Sequence, residues 1–281
     1  MANTKEKSED ITPGPSSTGY KPNDFFWTTR RKEHSLPGTI IFVTLRFLDL
    51  PLQWYLLRSG LGIEIVRNLG GTPITTPSST PITFLGLSPY HTLIFALAVG
   101  SSVKQIYWKL FIGEQLFAPG FATVVSVYNT LLNSFNTFLA LWAYTSQQPM
   151  EQQSFGPMLV FQPDRVKVGK ILFGVGMYLE WYSEIQRKEF KKDERNRGKP
   201  YSGGLWSLAR NINYGGYTLW RCGYSLICGG WVWAALQAAW LSGDFINRAI
   251  PSMEAYCEKR YGQQWEQVRM NVPYRLLPWI Y

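Results

Sequence analysis

Long apolar stretches alternate with polar segments along most of the chain. The first runs from Gly38 to about Leu57, the second from Pro89 to about Trp108, and the third from Phe121 to Ser146 without a single charge. A helix needs about 20 apolar residues to cross about 30 Å of hydrocarbon. Each stretch therefore predicts a transmembrane helix, and the third gives the clearest signal.

The last apolar stretch is longer and is interrupted. It extends from Gly215 to Ile246 around Arg221, and as one helix it would measure about 48 Å, too long for one upright crossing and short for two. The Gly229-Gly230 pair near its middle favours a helical hairpin or a broken re-entrant element. Together with a shorter apolar span at residues 171–185, the pattern predicts an all-α, multi-pass transmembrane helix bundle with about six crossings.

Three regions follow from this pattern. Residues 1–36 form a polar N-terminal tail that is predicted to be disordered, residues 37–185 carry transmembrane helices and connectors, and residues 186–281 combine a cofactor-binding region, the membrane hairpin and a cytosolic tail. The composition agrees, because charged residues make up only 17% of the 281 residues, against about 25% in soluble domains.

Several polar side chains interrupt the apolar spans. Arg46 and Asp49 lie on one helix face, where a buried ion pair is favoured over a substrate-binding role. Asn129, Asn133 and Asn136 recur at helical spacing. We expect these asparagines to bind neighbouring helices rather than a ligand, because such residues link helices within membranes.

Glu180 and Glu184 share one face of the span at residues 171–185. Two carboxylates at that depth do not both ionise without a cation nearby. Arg187 and Lys188 offer partners for salt bridges at the helix end, and a proton-handling role is the alternative.

A run of cations, QRKEFKKDERNRGK, follows this span, and from this run to Arg221 the chain carries six of its nine net positive charges. Arg187, Lys191 and Arg195 recur every four residues, so in a helix they form one cationic stripe that suits phosphate groups. The alternative is a solvated basic loop attracted to anionic lipid headgroups. Beside apolar spans the charge indicates a cytoplasmic loop and not a nucleic-acid interface.

The next segment, GGLWSLARNINYGGYTLW, places aromatic and polar residues between two glycine pairs. Trp206, Tyr214 and Tyr217 offer stacking surfaces with polar tips, and Arg210 and Asn213 add hydrogen-bonding groups at the membrane boundary. No GxGxxG follows a strand, so no Rossmann cofactor site is indicated. The three cysteines and two histidines lack metal-ligand spacing, so no metal site is predicted.

The tail ends in CEKRYGQQWEQVRMNVPYRLLPWIY, an amphipathic surface helix followed by a short segment that is able to close a site. Together with LARNINYGGY, this tail resembles the C-terminal region of the superfamily of sterol C14-reductases, steroid 5α-reductases and isoprenylcysteine carboxyl methyltransferases, which includes many uncharacterised fungal membrane proteins. The resemblance covers roughly residues 178–281, and the tail is its most specific part. It implies a C-terminal cofactor pocket that faces the cytosol.

The resemblance also implies residue roles. Eight residues would contact NADPH, the first two through its phosphates: Arg187, Lys191, Trp206, Arg210, Asn213, Tyr214, Tyr261 and Arg275. Three residues are candidate catalytic proton donors: Tyr214, Tyr217 and Glu254.

Two positions depart from the sterol reductases. Their Arg-Asp pair before the cysteine is Ser252-Met253 here, which leaves Glu254 as the nearest carboxylate, and their His-Pro in the turn is Asn211-Ile212. A glutamate followed by an aromatic residue ahead of Tyr-Gly is instead typical of the methyltransferase tails.

The function favoured by these residues is an NADPH-dependent, membrane-embedded reductase of a carbon-carbon double bond in a sterol-like or other polycyclic lipid. One alternative is an S-adenosylmethionine-dependent methyltransferase of a lipid-linked thiol or acid, whose phosphate-free cofactor would make the cationic run superfluous. The other is a non-catalytic membrane protein that retains the fold. The expected partners are a hydrophobic small molecule and membrane lipid, without nucleic acid, in the endoplasmic reticulum membrane, and the oligomeric state is left open.

Overall fold

The computed structural model describes residues 35–74, 82–83, 85–114, 116–146 and 164–281. Nearly all of the predicted N-terminal tail lies outside these residues, so its disorder stays a prediction. Within them the chain forms helices α1 (Leu36–Arg58), α2 (Gly60–Asn68), α3 (Pro89–Tyr107), α4 (Pro119–Leu141), α5 (Arg165–Lys192), α6 (Ile212–Asp244), α7 (Ile250–Tyr261) and α8 (Gln263–Asn271).

The described residues contain no β-strand beyond one isolated bridge between Pro73 and Trp142, so the all-α class is confirmed for them. Serines explain where two of the long helices begin. The hydroxyl of Ser35 accepts the backbone N–H of Gly38 at the start of α1, and that of Ser88 accepts the N–H of His91 at the start of α3. Both satisfy amide groups that have no partner inside the helix.

Helix α6 folds back on itself at Gly230, as the glycine pair predicted. Gly230 has φ 78° and ψ −170°, a backbone conformation that interrupts the helix and that glycine adopts without steric penalty. The ring of Tyr214 stacks on that of Phe245 with 4.7 Å between centroids, whereas a straight helix would separate these residues by about 46 Å. The predicted hairpin is therefore confirmed, with arms at residues 212–229 and 231–244.

Helix α5 and the first arm of α6 approach through glycines, which form what we call the glycine interface: Gly169, Gly176, Gly216 and Gly223. A Cβ added at Gly176 would lie 2.3 Å from the backbone N of Trp220, and one at Gly216 would lie 2.5 Å from the backbone N of Glu180. The two backbones are in direct contact there, as small residues allow in membrane helix pairs.

Helices α1 and α4 lie in parallel register and are joined through polar side chains. One hydrogen-bonded pair occurs at each turn: Arg46 with Thr130, Asp49 with Asn133, and Gln53 with Thr137. Asn129 and Asn136 likewise bond Gln105 of α3 and Trp233 of α6. The predicted role of the three asparagines as links between helices is therefore confirmed, and so is the buried ion pair between Arg46 and Asp49.

Two of the described segments are long and apolar enough to cross a membrane, namely Leu36–Arg58 and Ile212–Tyr261. The second contains the hairpin. Helix α4, which the uncharged stretch predicted as the clearest crossing, is not one of the two, because its asparagines lower its hydropathy although they point inward. Six long segments, α1, α3, α4, α5 and the two arms of α6, form the bundle, and the number of crossings stays a prediction.

Candidate functional site

The candidate site lies at the end of the bundle where α5 ends and α6 begins. The turn between these helices is held from both sides. The side-chain oxygen of Gln186 in α5 accepts the N–H of Leu205 at 2.9 Å, while the N–H groups of Arg210 and Asn211 donate to the carbonyls of Tyr274 and Arg275 at 2.9 Å and 3.0 Å. The C-terminal tail thus pairs with the turn and brings the two distinctive sequence segments together.

The first group of side chains, the Glu184 cluster, consists of Glu184, Arg187, Trp206 and Asn213. Glu184 is buried and forms an ion pair with Arg187, and it also accepts a hydrogen bond from the amide of Asn213 at 2.7 Å. The guanidinium of Arg187 lies over the ring of Trp206, 5.0 Å from its centroid, and Trp206 donates to the carbonyl of Ser183. The cluster therefore presents one carboxylate, one guanidinium and one indole, with no net charge.

The second group, the Glu254 cluster, attaches the tail to the turn. Arg210 donates to Glu254 from α7 at 2.9 Å and to the carbonyl of Val272 at 2.6 Å. Trp265 of α8 donates to the other carboxylate oxygen at 3.3 Å. Glu254 therefore accepts hydrogen bonds from two donors that lie on different segments, Arg210 in the turn and Trp265 in α8.

The third group consists of aromatic rings between the two arms of α6. Tyr214 stacks on Phe245, and Tyr217 meets Phe245 edge-on at 5.9 Å and Trp220 at 5.1 Å between centroids. The Nε of Arg221 donates to the Tyr217 hydroxyl at 3.3 Å. One face of the Tyr214 ring is therefore covered by Phe245, and the guanidinium of Arg221 lies over the ring of Tyr217, 5.6 Å from its centroid.

The remaining predicted site residues occupy its border. Tyr261 of α7 is within electrostatic range of Arg187. Lys191 is exposed, one turn beyond Arg187 on α5. Arg275 is also exposed and donates to the hydroxyl of Tyr281, over whose ring its guanidinium lies, so it points along the tail and not toward the Glu184 cluster.

The predicted stripe of three cations is wrong for its last member. Helix α5 ends at Lys192 with Asp193 as the C-cap, and Arg195 follows in a separate 3₁₀ turn. Arg195 donates three side-chain hydrogen bonds to the carboxylate of Asp193, which hold the pKa of that carboxyl below its usual range. The helix stops because the Asp193 side chain also accepts the N–H of Arg195 and competes with the helical bond.

The predicted salt bridges of the two glutamates, Glu180 and Glu184, agree with the structure for one of them. Glu184 pairs with Arg187 as expected, but Glu180 pairs with Lys104 of α3 and accepts the indole N–H of Trp220 at 2.6 Å. No local pattern points to Lys104, because this partner lies far away in the sequence. In the described part of the chain, no three His, Cys, Asp or Glu residues could hold a metal ion.

Comparison with known proteins adds an independent line of information. A family model described as a protein of unknown function, DUF1295, matches residues 119–270. The probable O-methyltransferase ustE of Ustilaginoidea virens is 34% identical over 248 residues, which span 85% of this chain and 84% of that protein.

Two sterol reductases are more distant relatives. The 7-dehydrocholesterol reductase of Danio rerio is 26% identical over 155 residues, covering 45% of this chain and 32% of the reductase. The delta(14)-sterol reductase ERG24B of Gibberella zeae is 25% identical over 166 residues, covering 41% of this chain and 34% of that protein. The chain thus spans about a third of each reductase.

Proposed function

The chain belongs to the DUF1295 family, and since its named relatives are enzymes, among them sterol reductases, we propose that it is a membrane-embedded methyltransferase. Its methyl donor would be S-adenosylmethionine and its acceptor an oxygen atom of a hydrophobic molecule. The cationic run in the sequence favours a reductase over a methyltransferase. The charges of the site in the structure reverse this order.

The observation that carries the proposal is that the arginines of the Glu184 and Glu254 clusters are each paired with a glutamate, Arg187 with Glu184 and Arg210 with Glu254. NADPH brings several phosphate charges, and a phosphate monoester alone carries about −1.5 to −2. Two neutral ion pairs offer little to such a ligand. S-adenosylmethionine bears a carboxylate, an ammonium and a sulfonium group, so a site with both signs of charge fits it better.

The residues present fit this cofactor in three ways. Arg187 would bind the carboxylate, Glu184 would bind the ammonium, and the ring of Tyr214 would lie against the sulfonium. A cation over an aromatic ring gains about 0.5–2 kcal/mol. S-adenosylmethionine supplies the methyl group, and the chain's own residues bind, orient and exclude water.

The predicted proton donors take other roles in this proposal. Methyl transfer to an acidic oxygen needs no proton donor, so Tyr214 acts through its ring, and Tyr217 accepts a hydrogen bond from Arg221. Glu254, held by Arg210 and Trp265, is a positioning residue that keeps the tail over the site. A location in the endoplasmic reticulum membrane remains part of the proposal, testable by fractionation of cells that express the full chain.

The test is a parallel titration of the detergent-purified full chain with S-adenosylmethionine and NADPH. We expect saturable binding of S-adenosylmethionine, weakened about tenfold or more by Trp206→Ala because the indole supports Arg187. Lys192→Ala is the matched control. Lys192 is exposed at the end of α5, the helix that carries Arg187, and among the contacts described it pairs only with Glu189. Binding of NADPH without S-adenosylmethionine would overturn the proposal.

The reductase remains the second candidate, favoured by the two sterol reductases that align with the chain. It would use NADPH, with Arg187 and Lys191 at the phosphates and a tyrosine or Glu254 as proton donor. The same titration separates the two candidates, because each predicts a different cofactor.

A further inference from the structure

A second polar centre lies inside the bundle, deeper than the candidate site. We call it the core cluster, and its members come from α1, α3, α4 and the first arm of α6: Arg46, Asp49, Gln105, Asn129, Asn133 and Arg221. Each is at most 9% exposed. Arg221 connects it to the candidate site, because its Nε donates to Tyr217 one helical turn earlier in α6.

The core cluster carries an excess of positive charge. Asp49 accepts hydrogen bonds from Arg46 at 3.2 Å and from Asn133 at 2.7 Å. Arg221 instead donates to the side-chain oxygens of Asn129 and Asn133. The guanidinium of Arg221 also lies over the ring of Trp220, whose indole N–H donates to Glu180, and that carboxylate pairs with Lys104. The core cluster therefore contains two guanidiniums and one carboxylate, and the ion pair with that carboxylate is made by Arg46.

The same place holds buried polar atoms that have no hydrogen-bond partner. Among the described residues these include Arg46 Nε, Gln105 Oε1 and Ser126 Oγ. The helix spacing puts Ser126 on the face of α4 that carries Asn129 and Thr130, which bond Gln105 and Arg46 respectively. A buried polar group without a partner costs about 1–3 kcal/mol, and an uncompensated buried charge costs more.

We propose that the core cluster binds the oxyanion, a carboxylate or phenolate, of an otherwise apolar molecule. Such a group neutralises the second guanidinium and accepts hydrogen bonds from Arg46 Nε and the Ser126 hydroxyl. Tyr224, one helical turn after Arg221 in α6, is buried and would contact the apolar body. We identify this molecule with the methyl acceptor, and that identification rests on the proposed function, whereas the binding of an oxyanion does not.

The test measures binding of 2-naphthoate to the detergent-purified full chain by calorimetry, with neutral 2-naphthamide as the matched probe. We expect the carboxylate to bind at least about tenfold more tightly than the amide, because hydrogen bonds to charged groups are worth about 1.5–3 kcal/mol. Ser126→Ala and Arg46→Lys should each remove most of this preference. Ser126→Ala removes no hydrogen bond among those of the described residues, so we expect this variant to fold.

Thr123→Ser is the control, because Thr123 is exposed one turn before Ser126 in α4 and the change keeps the hydroxyl that donates to the carbonyl of Pro119. Equal affinity for the two probes, or an unchanged preference in Ser126→Ala, would overturn the inference. S-adenosylmethionine binding is recorded on the same preparations. If it persists while the carboxylate preference is absent, only the core cluster assignment fails, and the reverse result refutes only the methyltransferase.

Discussion

The two halves of the bundle are held together in opposite ways. At the glycine interface, the backbones of α5 and α6 are in direct contact at Gly176 and Gly216. Between α1 and α4, the contact is made by side chains that exchange one hydrogen bond per turn. The contact between α5 and α6 requires glycines, because a Cβ atom would keep the two backbones apart. The contact between α1 and α4 requires side chains that form hydrogen bonds.

The difference indicates which half serves which purpose. Close backbone packing sets the position of the α6 arm that carries Tyr214 and Tyr217, so the glycine interface supports the candidate site. A charged interior lowers stability unless it is fully paired, and the core cluster is not fully paired. In our proposal this incomplete pairing serves ligand binding.

Removal of Asp49 should have the largest effect on folding. Asp49→Ala leaves Arg46 and Arg221 without a buried carboxylate, and losing one partner of a buried pair costs about 3–5 kcal/mol. We expect a large fall in melting temperature in detergent. Asp193→Ala is the control, because Asp193 pairs with the exposed Arg195 at the surface; equal effects of the two variants would contradict the comparison.

A methyl group at the glycine interface should have the next largest effect. In Gly176→Ala the new Cβ meets the backbone of α6, so the helices must separate, at a cost of about 3 kcal/mol. Gly174→Ala is an unusually close control, because a Cβ at Gly174, on the same helix, meets nothing within 4 Å. Thermal unfolding of both variants measures the difference, and a stable Gly176→Ala protein would show that the backbones are not in contact.

Loss of the Arg210 anchor should have a smaller and more local effect. Arg210→Met removes the bonds to Glu254 and to the carbonyl of Val272, and we expect a loss of about 2 kcal/mol. Hydrogen exchange should increase in residues 263–281 and stay unchanged in α1 and α4. Uniform exchange throughout the chain would mean that the tail is not a separately anchored unit.

Ser126→Ala should have the smallest effect on folding, and of the opposite sign. The hydroxyl of Ser126 is buried without a partner, so its removal relieves a desolvation penalty and stabilises the unliganded protein by about 1 kcal/mol. The measurement is the melting temperature without added ligand. A clear fall would indicate that the hydroxyl has a structural partner.

Much of the fold could be predicted from the sequence, because the signals are local. Apolar length gave the spans that became α1, α3 and α4, and the Gly229-Gly230 pair gave the hairpin, since only glycine readily adopts the backbone angles seen at Gly230. Helical spacing also gave the Arg46–Asp49 pair and the inward asparagines. These predictions needed no knowledge of distant contacts.

The candidate site could be predicted only in its parts. The segments that hold Arg187, Arg210 and Glu254 were recognised, but the sequence could not show which carboxylate neutralises which guanidinium. Arg210 and Glu254 lie on different elements, and so do Lys104 and Glu180. The sequence shows the cations but not the carboxylates that pair with them in space. The run therefore predicts a phosphate site, whereas the ion pairs in the structure make the site less suited to phosphates.

The most direct test of the account is the cofactor preference of Glu184→Gln. This change keeps the shape of a buried side chain but frees Arg187 from its ion pair. We expect S-adenosylmethionine affinity to fall about tenfold and NADPH affinity to rise. Glu189→Gln, at an exposed position of the same helix, should change neither. If the ratio of the two affinities is the same in Glu184→Gln as in the unaltered chain, charge pairing does not select the cofactor and the central claim is wrong.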